Sequence, residues 1–196
     1  MPGLSLYSVQ AVLVLDNEGK RMYAKYYHPP HKNPNSPQQT DDSDPILSSV
    51  KQQKEFEKSL HKKTHKQNSD ILIFEDHLVL YKEYVDVSLF LIGPMDENEI
   101  VLQQAFSAVK DSLELILETG IDKKNVQEHY DMVALAIDET VDDGIILETD
   151  PATIASRVTK PPSKDAQISI DLSEKGLLSA WGFAKSKLAE KLQQGL

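Results

Sequence analysis

The chain has 196 residues, and 21 Lys and Arg against 31 Asp and Glu leave a formal net charge of −10. An acidic balance of that size excludes nucleic acid as a main partner, because phosphate binding needs a net basic face. Cysteine is absent, which excludes thiol catalysis, Cys-ligated zinc and a disulfide framework, and the length suits about one domain.

Leu6 to Leu15 reads as a strand apolar on both faces, with Val9, Ala11, Leu13 and Leu15 alternating with Val12 and Val14. Such a strand must be covered on both sides, so it is expected at the centre of a sheet. Asp16-Asn17-Glu18-Gly19 is turn chemistry, and Met22 to Tyr27 returns as a hairpin partner with Lys25 between Tyr23 and Tyr27. Pro29 to Pro45 mixes five prolines with polar residues and no apolar one. It is expected to form a mobile surface loop, which offers Ser36-Pro37 for phosphorylation or docking but is more simply an insertion between elements.

Ser48 to Lys63 is expected to be a helix with Val50, Gln53, Phe56 and Leu60 along one stripe. Ser69 to Asp76, Leu78 to Tyr84 and Val87 to Ile92 then read as three strands in a meander. The last of these puts Val87, Leu89 and Leu91 on one face and Phe90 and Ile92 on the other, so it too is central and belongs beside the first strand. After Gly93-Pro94, the acidic run Asp96 to Glu99 caps a long helix whose stripe is Leu102, Ala105, Phe106, Val109, Leu113, Ile116 and Leu117, with Gly120 as its C′ residue. A further helix follows over Tyr130 to Thr140, then a turn at Val141 to Gly144, then a short helix from Pro151 through Arg157. The order predicts an α+β fold: a mainly antiparallel five-stranded sheet with helices on both faces.

Catalytic constellations are not evident. His61 and His65 stand at i and i+4, a spacing that suits a metal, but Lys62 occupies the place of the Glu a zinc hydrolase needs, and Lys63 and Lys66 oppose a cation. The cluster Asp138, Glu139, Asp142 and Asp143 lacks calcium-loop spacing, so capping and solvation of a helix end account for it. The glycines fall singly at element ends, outside any phosphate-cradling pattern. No catalytic residue, metal or cofactor is assigned. The first residues, Met-Pro-Gly-Leu-Ser-Leu-Tyr, carry neither a basic nor an apolar signal region, Pro2 stands where myristoylation needs Gly, and no apolar run nears the ~20 residues of a span. The expectation is a soluble cytosolic protein.

Leu13-Val14-Leu15-Asp16-Asn17-Glu18-Gly19-Lys20-Arg21-Met22-Tyr23-Ala24-Lys25-Tyr26-Tyr27 resembles the opening hairpin of the small chains of vesicle coat adaptors. The stretch from Ala136 to Pro151, with Asp138-Glu139 and Gly144-Ile145-Ile146-Leu147-Glu148-Thr149, resembles their closing segment. Within that family, Gln53-Lys54-Glu55-Phe56-Glu57-Lys58, Lys63-Thr64-His65 and the Ile-Leu-Glu-Thr-Asp-Pro ending look most like the zeta-type branch of coatomer, the COPI coat. The resemblance covers Leu6 to Val158 and implies a longin-type domain over 1–158. It also implies a non-catalytic subunit in an obligate heterodimer with a gamma-type large coat subunit, inside a heptameric coatomer recruited to Golgi membranes by Arf-GTP bound mainly by other subunits. The implied role is retrograde Golgi-to-ER and intra-Golgi transport from the cytosolic face of Golgi membranes and COPI vesicles. Met22 stands where the endocytic sigma chain has an Arg for dileucine signals, and the adjacent Arg21 points to the opposite face. That ligand is therefore not carried over. Asp143 replaces the first Gly of a D-G-G turn, so only Gly144 is expected to need positive φ. Competing classes are a longin-type regulatory or trafficking subunit, sigma-like or SNARE-related, and a hydrolase using His61 and His65.

A small part of an obligate assembly should leave apolar surface for its partner, with Phe56, Leu60 and the edge-strand residue Tyr81 as candidates. Residues 159–167 form a linker around Pro161-Pro162, and 168–196 form a tail with Leu177, Trp181, Ala184, Leu188 and Leu192 at helical spacing. Leu177, Trp181 and Leu188 are the tail's candidate docking residues. A groove on a protein is the favoured site, and a membrane surface is the alternative.

Overall fold

The computed structural model describes residues 6–28, 49–67 and 70–159. The chain divides into units 1–159 and 160–196, and every described residue belongs to the first. The Pro-rich segment, residues 160–167 of the linker and the tail stripe therefore lie outside the described residues, while Thr159, expected to open the linker, is helical.

Five strands form one sheet: β1 (Ala11–Asp16), β2 (Arg21–Tyr26), β3 (Ile71–Phe74), β4 (His77–Glu83) and β5 (Val87–Pro94), in the order β2-β1-β5-β4-β3 with every neighbouring pair antiparallel. The two strands expected at the centre are there and pair with each other, Ala11 opposite Ile92 and Asp16 opposite Val87. Their alternation divides the interior. Ala11, Leu13, Leu15, Phe90 and Ile92 join Val79 and Tyr81 beneath Phe56 and Leu60 of helix α1 (Val50–Thr64). On the other side Val12, Val14, Val87, Leu89 and Leu91 meet the second helical layer. That layer holds α2 (Glu99–Ile116), α3 (Lys123–Glu128), α4 (Tyr130–Thr140) and α5 (Pro151–Thr159), with a two-stranded ribbon of β6 (Val141–Asp142) and β7 (Ile145–Ile146) between the last two helices. A sheet whose middle strands are apolar on both faces thus gets helices on both, the expected α+β architecture.

Several elements differ from expectation. Only Ala11–Asp16 of the first apolar run is strand: Tyr7 bridges to Ile145 and the Val9 N–H donates to the Gly144 carbonyl, so the segment before β1 is tied to the β6–β7 ribbon instead. In α1, Ser49 is the N-cap, Val50 is 59% exposed, and the buried set is Phe56, Glu57, Leu60 and Thr64. Helix α3 was not expected; Asp122 caps it, accepting from the Asn125 N–H at 2.8 Å. Gly120 has φ +108° but lies three residues past the α2 C-cap, Leu117, so it closes the next turn and is not C′. Asp143 takes φ +48° beside Gly144 at +82°, so both central residues of the ribbon turn are left-handed and the single-glycine expectation fails. Aspartate tolerates that region better than most side chains, which satisfies a two-residue turn of the I′ kind.

Candidate functional site

The residues expected to face a partner lie inside the body. Phe56 is 3% exposed, Leu60 0% and Tyr81 2%. The Phe56 ring meets Phe74 at 5.4 Å between centroids, and Tyr81 stacks on Phe90 at 5.9 Å. Tyr81 is also not on an edge, because β3 lies outside β4. Burying Phe56 and Leu60 stabilises the docking of α1 by about 1.5–3 kcal/mol each, which makes them core. Leu177, Trp181 and Leu188 lie outside the described residues.

The β1–β2 hairpin is clamped to both helical layers by buried carboxylates. Glu57, 1% exposed, accepts from Arg21 Nε at 3.0 Å, from Arg21 Nη2 at 2.6 Å and from the Tyr26 hydroxyl at 2.7 Å. Burial works against the charged guanidinium, but the hydrogen bonds and charge of Glu57 outweigh it and hold the Arg21 pKa above its ordinary value. Asp16, 1% exposed, accepts from the Glu18 and Lys20 N–H groups on Oδ1 and from Lys123 Nζ at 2.8 Å on Oδ2. Burial alone would raise its pKa; the Lys123 hydrogen bond and the two backbone donors bring it below the ordinary value. A cavity of about 200 Å³ opens between these groups, lined in part by Asp16, Arg21, Met22, Lys123 and Tyr130. With Lys123 held by Asp16 and Arg21 by Glu57, both cations are committed to the fold. Met22 packs into the helix-side core while Arg21 turns to α1, the opposite-face geometry expected from the strand.

The candidate chemistries also resolve into structure. His61 and His65 stack at 5.2 Å, and His65 Nδ1 lies 2.7 Å from Glu83 Oε1. Burial and then the neighbouring His65 push the His61 pKa down. Among the described residues no three His, Asp or Glu side chains converge as a metal site. In the acidic cluster, Asp138 is paired with Lys25 at 2.7 Å and Glu139 with Arg157 at 3.1 Å. No described helix is long and apolar enough to cross a membrane.

The surface holds an apolar group the sequence reading missed. Ile100 is 77% exposed, Leu6 74%, Leu147 58% and Val101 37%. The Tyr7–Ile145 bridge brings the Leu6 segment to the ribbon, and Gln104 Nε2 donates to Thr149 Oγ1, which brings the Leu147 segment beside the first turns of α2. The available signal was phase: Ile100 and Val101 are apolar yet out of step with the α2 stripe that starts at Leu102. Ile100 and Val101, at the start of α2, and Leu147, on the segment that the Gln104–Thr149 hydrogen bond ties to that helix, are apolar side chains left to solvent, as at an interaction surface.

The chain matches the family of clathrin adaptor complex small chains over residues 8–164. It belongs to that family. Across its full length and the full length of the relative, this adaptor small chain is 63% identical to coatomer subunit zeta of Saccharomyces cerevisiae. To coatomer subunit zeta-1 of Homo sapiens it is 40% identical, over 79% of this chain and 78% of that one. In three dimensions it superposes on a chain from a homology model of the full-length AP-3 complex in a stretched open conformation, with a TM-score of 0.55 and 17% identity over 91% of this chain and 98% of the other. At that identity the last likeness speaks for the fold alone, and it agrees with the adaptor small-chain architecture described above.

Proposed function

We propose that this protein is the zeta-type small subunit of coatomer, a non-catalytic part of the COPI coat. The observation that carries the reading is end-to-end identity of 63% to a coatomer zeta chain. Such a chain works by being held in a larger assembly, at the cytosolic face of Golgi membranes and vesicles, in retrograde Golgi-to-ER and intra-Golgi transport. Its partner is a gamma-type large subunit, in an obligate heterodimer, with Arf-GTP bound mainly by other subunits. The exposed group Leu6, Ile100, Val101 and Leu147 supports a protein partner, because burying it would remove apolar surface from water. On sequence periodicity, Leu177, Trp181 and Leu188 supply a second contact with the same large subunit.

Co-expression with the gamma-type subunit tests this. A stoichiometric complex that survives gel filtration is expected, and its formation should raise the apparent melting temperature of the small chain by mass action. Recovery of the two chains as separate species overturns the reading. Within the complex, Trp181→Ala with Leu188→Ala should weaken pairing and leave flotation on vesicles unchanged.

A further inference from the structure

Helix α1 carries two opposite faces. Phe56, Glu57, Leu60 and Thr64 are turned to the sheet. Lys51, Lys58 and Lys62, seven and eleven residues apart from the first and so two and three turns along, stand on the far side, with Lys54 on the flank. All four are exposed, and none is in an ion pair with a described residue. Glu55 is the one exposed acid on the helix. This is a basic strip on a chain of net charge −10.

Beside α1, Glu55 and Glu75 line a cavity with Gln52, Phe56 and Ser59, and Glu83 is taken up by His65; much of the remaining acid lies elsewhere. No Lys or Arg occurs from Pro94 to Val109 or from Asp138 to Ser156, while Glu97, Glu99, Asp142, Asp143 and Glu148 do. Those stretches belong to the helical layer on the opposite face of the sheet from α1. Packed layers lie about 10 Å apart, so the two charged surfaces are separated by about 20 Å, well beyond the ~8 Å screening length at physiological ionic strength. The lysine face therefore presents a local positive potential despite the sign of the whole chain.

We propose that the outer face of α1 is a contact surface for anionic lipid headgroups. A protein partner is the poorer fit: protein interfaces are depleted of Lys and built around aromatic, Met and Arg anchors, and Val50, at the helix start, is the sole large apolar side chain exposed on α1. A single free phosphate is also a poorer fit, because Lys51 to Lys62 run about 16 Å along the helix and do not converge. A straight row of flexible ammonium groups suits a planar array of phosphates, as polybasic segments do on anionic leaflets. The contact goes beyond the coat reading and needs no large subunit.

The test uses the full chain and vesicles of phosphatidylcholine with about 30 mol% phosphatidylserine, the kind of anionic surface that attracts Lys-rich segments. Each lysine at such a surface is worth about fivefold in partitioning, so Lys51→Gln with Lys58→Gln and Lys62→Gln should lower co-flotation about 100-fold. Pure phosphatidylcholine vesicles should leave the wild type unbound. Because the three lysines are exposed, the triple variant should keep the wild-type melting temperature, and its affinity for the gamma-type subunit should not change. Equal flotation of variant and wild type overturns the proposal, as does equal binding to neutral vesicles. Loss of large-subunit affinity in the triple variant with flotation intact overturns it in favour of an acidic protein surface. A wild type that binds anionic vesicles but no large subunit upholds this proposal and sinks the coat reading instead.

Discussion

Replacing Glu57 with Ala is the sharpest probe of how the hairpin is held to α1. The carboxylate is 2% exposed at its side chain and takes three hydrogen bonds from Arg21 and Tyr26. Removing one member of a buried pair costs about 3–5 kcal/mol, because the other charge is left without its partner. Arg21 keeps 25% of its side chain in solvent and recovers some hydration, so the lower end, about 3 kcal/mol, is expected. For a chain of this length that is a fall of about 6–12 °C in melting temperature. Tyr26→Phe alone should cost about 1 kcal/mol, and close to nothing once Glu57 is gone, since the hydroxyl then has no carboxylate to lose. Replacing both charges, Arg21→Met with Glu57→Leu, should recover most of the loss, as apolar substitutes for buried ion pairs do. Circular-dichroism melts of wild type, Glu57→Ala, Tyr26→Phe and their double variant form the cycle, with the Arg21→Met, Glu57→Leu protein melted beside them. A loss under about 1 kcal/mol for Glu57→Ala, the size of an exposed pair, would show that the interaction is superficial and refute the argument.

Three further outcomes follow from positions already described. Asp16 is held below its ordinary pKa of 3.8, so its folded value lies under its unfolded one and its contribution is present above the unfolded value and lost as pH falls through the folded one; urea midpoints of Asp16→Asn and wild type should differ at about pH 6 and draw together as the pH is lowered below the ordinary carboxylate range, and a constant gap would contradict the assignment. A methyl at position 93 would sit 2.6 Å from Leu102 Cδ1 and 2.9 Å from the Ser8 carbonyl, so Gly93→Ala should cost about 1–3 kcal/mol by overpacking, and unchanged stability would mean α2 does not press on β5 there. Asn98 accepts from the Ile100 N–H at 2.9 Å, and Asn98→Ala should lower stability by about 0.5–2 kcal/mol, with amide exchange quickened in the first turn of α2 as the local readout.

What the sequence made legible was decided by period. Two strands apolar on both faces, Ala11–Asp16 and Val87–Pro94, announced their own neighbourhood, because a chain of this size has few places where both faces are covered. The long stripe from Leu102 to Ile116 likewise fixed α2. Glu57 escaped notice because a carboxylate has no apolar signature and its partner lies 36 residues away. Phe56 and Tyr81 were misplaced for a related reason: period tells which residues share a face but not whether that face meets the sheet or a partner. Helix α3 buries only Val126 in six residues, too short a run for any period to register. Asp143 shows local chemistry yielding to the register of the ribbon it joins.

The pairing of β1 with β5 also sets a clock on synthesis. Asp16 finds Val87 as its partner across the sheet, so roughly 70 residues must be added after the first strand before its central neighbour exists. At about 5–20 residues per second this is an interval of several seconds. Throughout it β1, a strand with no polar residue before Asp16, has only β2 beside it and open edges to any other chain. The short hairpin turn held by Asp16 offers early local cover on one edge, while the other edge stays open until the meander arrives. Long-range closure of this kind makes the nascent chain slow to protect itself, so a cell making it in excess of its assembly partners would be expected to draw on chaperones before it draws on the coat.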